Sequence, residues 1–291
     1  MYSIVYSLLY LLSLLPWKII YFISDFFYVI VYYVAGYRKR VVLKNLAIAF
    51  PDKTEKEREK IAKEFYHQFV DSLIEMIKLL SISKEAFQKR HVINAEVLNA
   101  YYDKLDKVEV VTGHFFSWEF ANLGVSLESK FPIIVVYMPL ANKVFDKIMY
   151  KMRSKFGTIL VAATEFRTSF HQYTKDKYSL ILVADQNPGN PQNAYWLPFF
   201  GKMAPFVKGP EKGARNNNTG IFYAHFYRVK RGYYRTDVEF ITDDPRSFAE
   251  GELTKLLVKK VEDSVRQKPA GYLWSHKRWK FEFDPEKHKA V

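Results

Sequence analysis

Between residues 108 and 185 the chain repeats one pattern, a short apolar run followed by a longer amphipathic segment. Strands are expected at 108–112, 131–138, 159–162 and 179–185, and helices at 117–127, 142–156 and 164–175. Strands that are apolar on both faces need cover on both. The alternation therefore predicts an α/β fold, with a mostly parallel sheet covered by helices. In such sheets ligands collect beyond the carboxyl ends of the strands. IFYAHFYRV (221–229) and YYRTDVEFI (233–241) add two strands around a turn at Lys230–Gly232, and an amphipathic helix follows over about 246–267. Upstream, residues 40–83 read as helical. Asp52 and Thr54 offer caps, Ile61, Phe65, Phe69, Leu73, Ile77 and Leu80 recur at helical spacing, and Phe65, Tyr66 and Phe69 are expected in the core. No internal repeat and no Gly/Ser linker divides this region, so residues 38–291 are expected to form one domain.

The first expected strand runs into VEVVTGHFFSWEFANL (108–123). Gly113 offers a strand break, and Ser117 an N-cap for a helix that buries Trp118, Phe120 and Leu123. On one continuous helix, side chains five residues apart point about 140° away from each other. Across a strand–turn–helix junction His114 and Glu119 can meet, and a carboxylate there can hold the imidazole in one tautomer for general-base work. The spacing alone is weak. From 7 His and 31 acids in 291 residues, fewer than one His-x4-acid match is expected by chance, and the chain holds three: His114/Glu119, His91/Glu96 and His171/Asp176. His91 follows the polar run SKEAFQKR and His171 sits on an expected polar helix, so both read as solvated. Only His114 stands between an apolar strand and an aromatic-rich helix start.

Residues 1–36 carry two side-chain charges, Lys18 and Asp25, before the run Arg38–Arg40. A secretory signal carries its positive charge ahead of the apolar stretch. Here the charge follows, so residues 1–37 are expected to be a retained N-terminal membrane anchor, either one tilted span kinked at Pro16, with 19–36 just long enough to cross a bilayer, or a hairpin lying in one leaflet. Tyrosines spread from Tyr2 to Tyr33 suit interfacial depth, and Arg38, Lys39, Arg40 and Lys44 place the body on the cytoplasmic side. The absence of cysteine excludes disulfides, thiolate metal sites and a cysteine nucleophile. A formal charge of +13 points to anionic partners. The basic residues are scattered or lie beside the anchor, and no nucleic-acid motif accompanies them, which favours a membrane over nucleic acid. A non-catalytic basic binder is the remaining alternative to an enzyme. No phosphate loop, dinucleotide fingerprint or metal-ligand cluster is present, so no cofactor and no metal are expected.

Elsewhere, Arg153 closes a helix in MRSKFG. Asp185 and Gln186 end the most apolar late strand and open the loop NPGNPQNAYW. LPFFG (197–201) reads as an exposed aromatic loop, and Arg215–Asn218 as a helix end.

These residues also carry a resemblance. GHFFSWE (113–119), MRSKFG (152–157), ADQ (184–186), FFG (199–201) and LWSHKRWK (273–280), preceded by KNLAIAFP (44–51), occur in the order found in the bacterial lipid A biosynthesis lauroyl/myristoyl acyltransferases, within the lysophospholipid acyltransferase superfamily. The similarity covers about residues 1–283. It implies a glycerolipid-acyltransferase-like fold and transfer of a fatty acyl chain from an acyl carrier protein thioester to a hydroxyl of a lipid acceptor, a lipid A precursor, at the bacterial inner membrane. Acceptors such as an aminoacyl lipid or a lysophospholipid are the alternative within the same chemistry. It further implies that His114 is the base of an HX4E motif, with Glu119 orienting it. Arg153 and Asp185, with Gln186 beside them, are implied to hold the acceptor or the developing oxyanion. Many members carry a small residue where Phe116 stands, so its ring is expected to narrow the acceptor cleft or the acyl channel.

Overall fold

The computed structural model describes residues 1–291, the Arg167 side chain excepted. Two apolar helices open the chain, α1 (Tyr2–Leu14) and α2 (Trp17–Val29), the latter continuing through a π-helical turn, Ile30–Val34. Pro16 breaks them apart, as its missing N–H dictates. The carbonyls at the end of α1 are not left orphaned, because Lys78 Nζ donates to Ser13 O (2.5 Å) and Leu15 O (2.8 Å). Next come α3 (Lys39–Ala49), α4 (Glu55–Leu79) and the short α5 (Lys84–Gln88). Thr54 and Glu57 form a reciprocal capping box at the start of α4. At its far end Lys155 Nζ donates to the carbonyls of Leu79, Leu80 and Ile82 at 3.0, 3.1 and 2.6 Å.

Trp17–Val34 is apolar and long enough to cross a membrane by length and composition, with a mean hydropathy of 1.4. One stripe of it, Ile20, Ser24, Tyr28 and Tyr32, repeats every four residues and is buried. Tyr28 and Tyr32 belong to the main hydrophobic cluster of the body. The segment expected as an anchor is thus packed along α4, while Phe22, Phe26, Val29 and Val34 face outward.

The body is built on a seven-stranded sheet. In chain order its parts are β1 (His91–Ile93), α6 (Glu96–Asn99), β2 (Lys107–Thr112), α7 (Trp118–Glu128), β3 (Ile133–Tyr137), α8 (Lys143–Arg153), β4 (Ile159–Ala162), α9 (Phe166–Ser169) and β5 (Tyr178–Val183). A hairpin of β6 (Ala194–Phe199) and β7 (Lys202–Val207) follows, then α10 (Gly209–Asn217), β8 (Gly220–Lys230), β9 (Tyr233–Thr242) and α11 (Glu252–Gln267). The strand order is β1-β9-β8-β2-β5-β3-β4, and every neighbouring pair is parallel except β8–β9. On β2, Val108 and Val110 join one core cluster and Val111 the other, as a strand covered on both faces requires.

Several expectations change. His91 is not solvated. It opens the edge strand β1, lies 5% exposed, and shares a 2.8 Å hydrogen bond with Thr236 Oγ1. LPFFG is not an exposed loop, since Phe199 and Phe200 turn the hairpin into the core. The helix expected over 164–175 is α9 followed by a 3-10 turn, Phe170–Tyr173, with Phe166 and Phe170 stacked at 4.5 Å. The last long helix starts only after Gly251, whose φ of 92° halts any earlier helical run.

Candidate active site

Strand register brings the site together. Within the parallel pair β2–β5, Thr112 stands opposite Val183. Two residues beyond each strand end come His114 and Asp185, so the same offset from neighbouring strands sets them side by side. The His114 backbone N–H donates to Asp185 Oδ1 at 3.1 Å, and the ring Nδ1 lies 2.5 Å from the same oxygen. The Asp185 side chain is 1% exposed and that of His114 24%. Burial pushes the Asp185 carboxyl up, but the imidazole beside it and the hydrogen bonds from His114 outweigh burial and hold it at about 2. An ionised carboxylate only accepts, so Nδ1 carries the proton and Nε2 is the basic nitrogen. Oδ2 of Asp185 is buried without a hydrogen-bond partner, although the buried Tyr272 phenol also favours the ionised form.

Gly113 contributes space rather than an unusual backbone. A Cβ there would meet the Phe115 ring at 3.1 Å and Val261 at 3.2 Å. The unusual backbone belongs to Ser117, with φ 62°, which starts α7 without a side-chain cap and hydrogen-bonds elsewhere.

Glu119 is buried in the first turn of α7, and its partner is Arg153 at the end of α8. Arg153 Nη2 donates to Oε1 at 2.7 Å, Nε lies 3.1 Å from both oxygens, and the Trp118 indole N–H adds a bond of 2.9 Å. The expected pairings are therefore exchanged. Asp185, expected at the acceptor, holds His114, while Glu119, expected to hold His114, is forked by Arg153. A cleft of about 320 Å³ nevertheless brings His114, Trp118, Glu119 and Arg153 onto one wall, and it continues between α7 and the sheet to Leu98 and Val238. Its lining is mostly apolar, and Ala121 and Ala224 leave it room.

Phe116 does not line this cleft. It is 4% exposed, with its ring packed on Phe65 (5.1 Å) and Phe69 (5.8 Å) of α4. The ring continues the aromatic stripe of that helix, which is where its bulk goes. Gln186 is half-buried in the loop after Asp185.

The residues after α11 have a role that sequence reasoning missed. Gly271–Leu273 strap the turn that carries His114: Phe116 N–H donates to Gly271 O (2.8 Å) and Leu273 N–H to His114 O (3.1 Å). Beyond them the fully buried Arg278 donates to Asn187 Oδ1 (2.6 Å) and Pro205 O (2.9 Å), which fixes the loop that carries Asp185. The Asn187 N–H reaches His276 Nε2 at 3.4 Å, and burial, then Arg278, pushes that imidazole down to about 4. The run SHKRW was visible as a motif, but nothing local shows what it braces.

The sequence profile of the bacterial lipid A biosynthesis acyltransferases matches residues 1–281. The chain belongs to that family. Among curated relatives of this acyltransferase, lipid A biosynthesis acyltransferase 2 of Shigella flexneri is 23% identical over 242 residues, covering 81% of this chain and 76% of that protein. The lipid A biosynthesis acyltransferase of Haemophilus influenzae is 21% identical over 236 residues (79% and 72%). The lipid A biosynthesis palmitoleoyltransferase of Escherichia coli is 22% identical over 253 residues (84% and 79%). The His114–Asp185 and Glu119–Arg153 pairs thus stand in a lipid acyltransferase.

Proposed function

We propose that this acyltransferase moves a fatty acyl chain from an acyl carrier protein thioester to a hydroxyl of a lipid A precursor, with His114 as general base. The observation that carries the reading is a histidine that lines an apolar cleft and is held at Nδ1 by a buried carboxylate. Nε2 takes the proton of the acceptor hydroxyl as its oxygen attacks the thioester carbonyl. The tetrahedral intermediate then expels the thiolate, the C–S bond breaks, and His114 returns the proton to sulfur. Asp185 stabilises the imidazolium between those steps. Arg153 keeps Nη1 donors beyond its fork with Glu119, available to an anionic group of the acceptor or to the oxyanion. The apolar length of the cleft suits the hydrocarbon chain of the donor.

The membrane is the proposed site of action, because the outward faces of α1 and α2 expose Ile4, Leu8, Leu11, Phe22 and Phe26 together. Their packing on α4 favours a hairpin lying in one leaflet, with the body on the cytoplasmic side where acyl carrier protein resides. Purified protein in detergent, given a carrier-protein thioester and a lipid A precursor, tests the transfer. Acylated lipid A is expected, and Ala224→Leu should shorten the preferred chain. Acylation of a lysophospholipid or an aminoacyl lipid in its place would overturn the acceptor, and a reporter at Val291 active only in the periplasm would overturn the orientation.

A further inference from the structure

We propose that Glu75 and Tyr234 are positioning residues for the catalytic turn, acting through the Ser117 hydroxyl, and that Tyr21 ties the N-terminal hairpin to the same assembly. Ser117 lies between His114 and Glu119 and occupies the left-handed region, which costs any residue with a Cβ. Such a conformation persists where its surroundings over-determine it. Here they do. Ser117 is buried, its Oγ donates to the Tyr234 hydroxyl at 2.9 Å, and it lies 3.5 Å from Glu75 Oε2. The Tyr234 hydroxyl in turn donates to the same Glu75 oxygen. The other oxygen, Oε1, accepts from the Tyr21 hydroxyl of α2 at 2.8 Å.

The same stretch of α4 fastens α2 a second time. Asp71, one turn before Glu75, accepts from Ser24 (2.6 Å), from Arg228 (2.9 Å) and from Arg231, which also reaches Asp25 of α2 at 2.6 Å. Glu75, Tyr234 and Ser117 lie outside the wall of the cleft. They therefore touch neither donor nor acceptor, and act by fixing the backbone from which His114 and Glu119 project. Loosening that backbone separates the base from its target and leaves the acyl pocket as it was. The expected signature is a fall in kcat at constant KM for the thioester.

The proposal rests on His114 being the base, so His114→Ala is measured in the same preparation, full-length protein in detergent micelles with a dodecanoyl carrier-protein thioester and a lipid A precursor. Ser117→Ala removes the hydroxyl and keeps the conformational penalty. We expect its kcat to drop about fivefold to thirtyfold, the range set by the cost of a left-handed non-glycine residue. Ser117→Gly removes the hydroxyl and the penalty together, and should regain most of that loss. Tyr234→Phe should lower kcat in the parent and cost little more in the Ser117→Gly background, because a glycine no longer needs the tether. Equal defects in Ser117→Ala and Ser117→Gly, or the same cost of Tyr234→Phe in both backgrounds, would overturn the positioning role while leaving an inactive His114→Ala to uphold the base. Full activity of His114→Ala would overturn both.

Discussion

His114 and His91 share the same spacing to an acid and lie in opposite electrostatic settings. His114 sits beyond the carboxyl end of β2, partly exposed to the cleft, with a buried carboxylate at Nδ1. His91 opens β1, buried, with a threonine hydroxyl as its partner, and burial pushes its ring down to about 3. In neither case does the acid five residues on hold the histidine. Glu119 is taken by Arg153, and Glu96 is exposed on α6. A histidine becomes a base through a carboxylate that stabilises its charged form and a face open to substrate. Burial alone makes it a neutral core residue.

The largest expected effect separates the two rings directly. His114→Ala should lower turnover by roughly 10²- to 10⁴-fold in a protein that stays folded, whereas His91→Gln should keep turnover per folded molecule near the parent. Steady-state rates normalised to the folded fraction check this, and equal losses would dissolve the distinction. Next, Asp185→Asn should cost roughly 10²-fold or more in kcat, because an amide can present its N–H to Nδ1 and select the wrong tautomer. Glu119→Gln should cost less in kcat. A greater loss for Glu119→Gln would return that residue to the role its spacing suggested.

The third prediction concerns stability. Folding keeps His91 neutral down to about pH 3, against an ordinary value of 6.5. Between those values the unfolded chain binds the extra proton, so this ring's contribution is full above about pH 6.5 and is lost as pH falls toward 3. His225, pushed down to about 4 chiefly by burial, acts in the same direction. Denaturant titrations from pH 7 to 4 should show falling stability, with a shallower slope for His91→Gln. An unchanged slope would mean that His91 titrates normally. The smallest effect is steric. A Cβ on Gly124 of α7 would stand 2.0 Å from His91 Nδ1, so Gly124→Ala should destabilise by roughly 1–3 kcal/mol with little change in kcat. A gain in stability would show that the ring can move aside.

Much of the fold was legible because β2, β3, β4 and β5 and the helices between them have the periodicity of local elements. The hairpin β6–β7 was not. Each of its strands contains a proline, Pro198 and Pro205, and its two-residue turn uses Phe200 and Gly201, both at positive φ, in place of the usual Asn-Gly. A three-residue strand such as β1 has too few residues to show a period and is recognised only by its pairing with β9.

The same limit divides the site. The sequence by itself determined the candidates for the chemistry, since His114, Glu119, Arg153 and Asp185 all stand at strand or helix ends that composition and motif order already mark. Tertiary structure alone decided who pairs with whom. Asp185 lies 71 residues from His114 and Arg153 lies 34 from Glu119. Those contacts depend on the β2–β5 register and on the packing of α8 against α7, which no local spacing encodes. Phe116 went to the core for a related reason. The aromatic stripe it completes belongs to α4, and only the packed molecule brings that helix beneath the turn that carries His114.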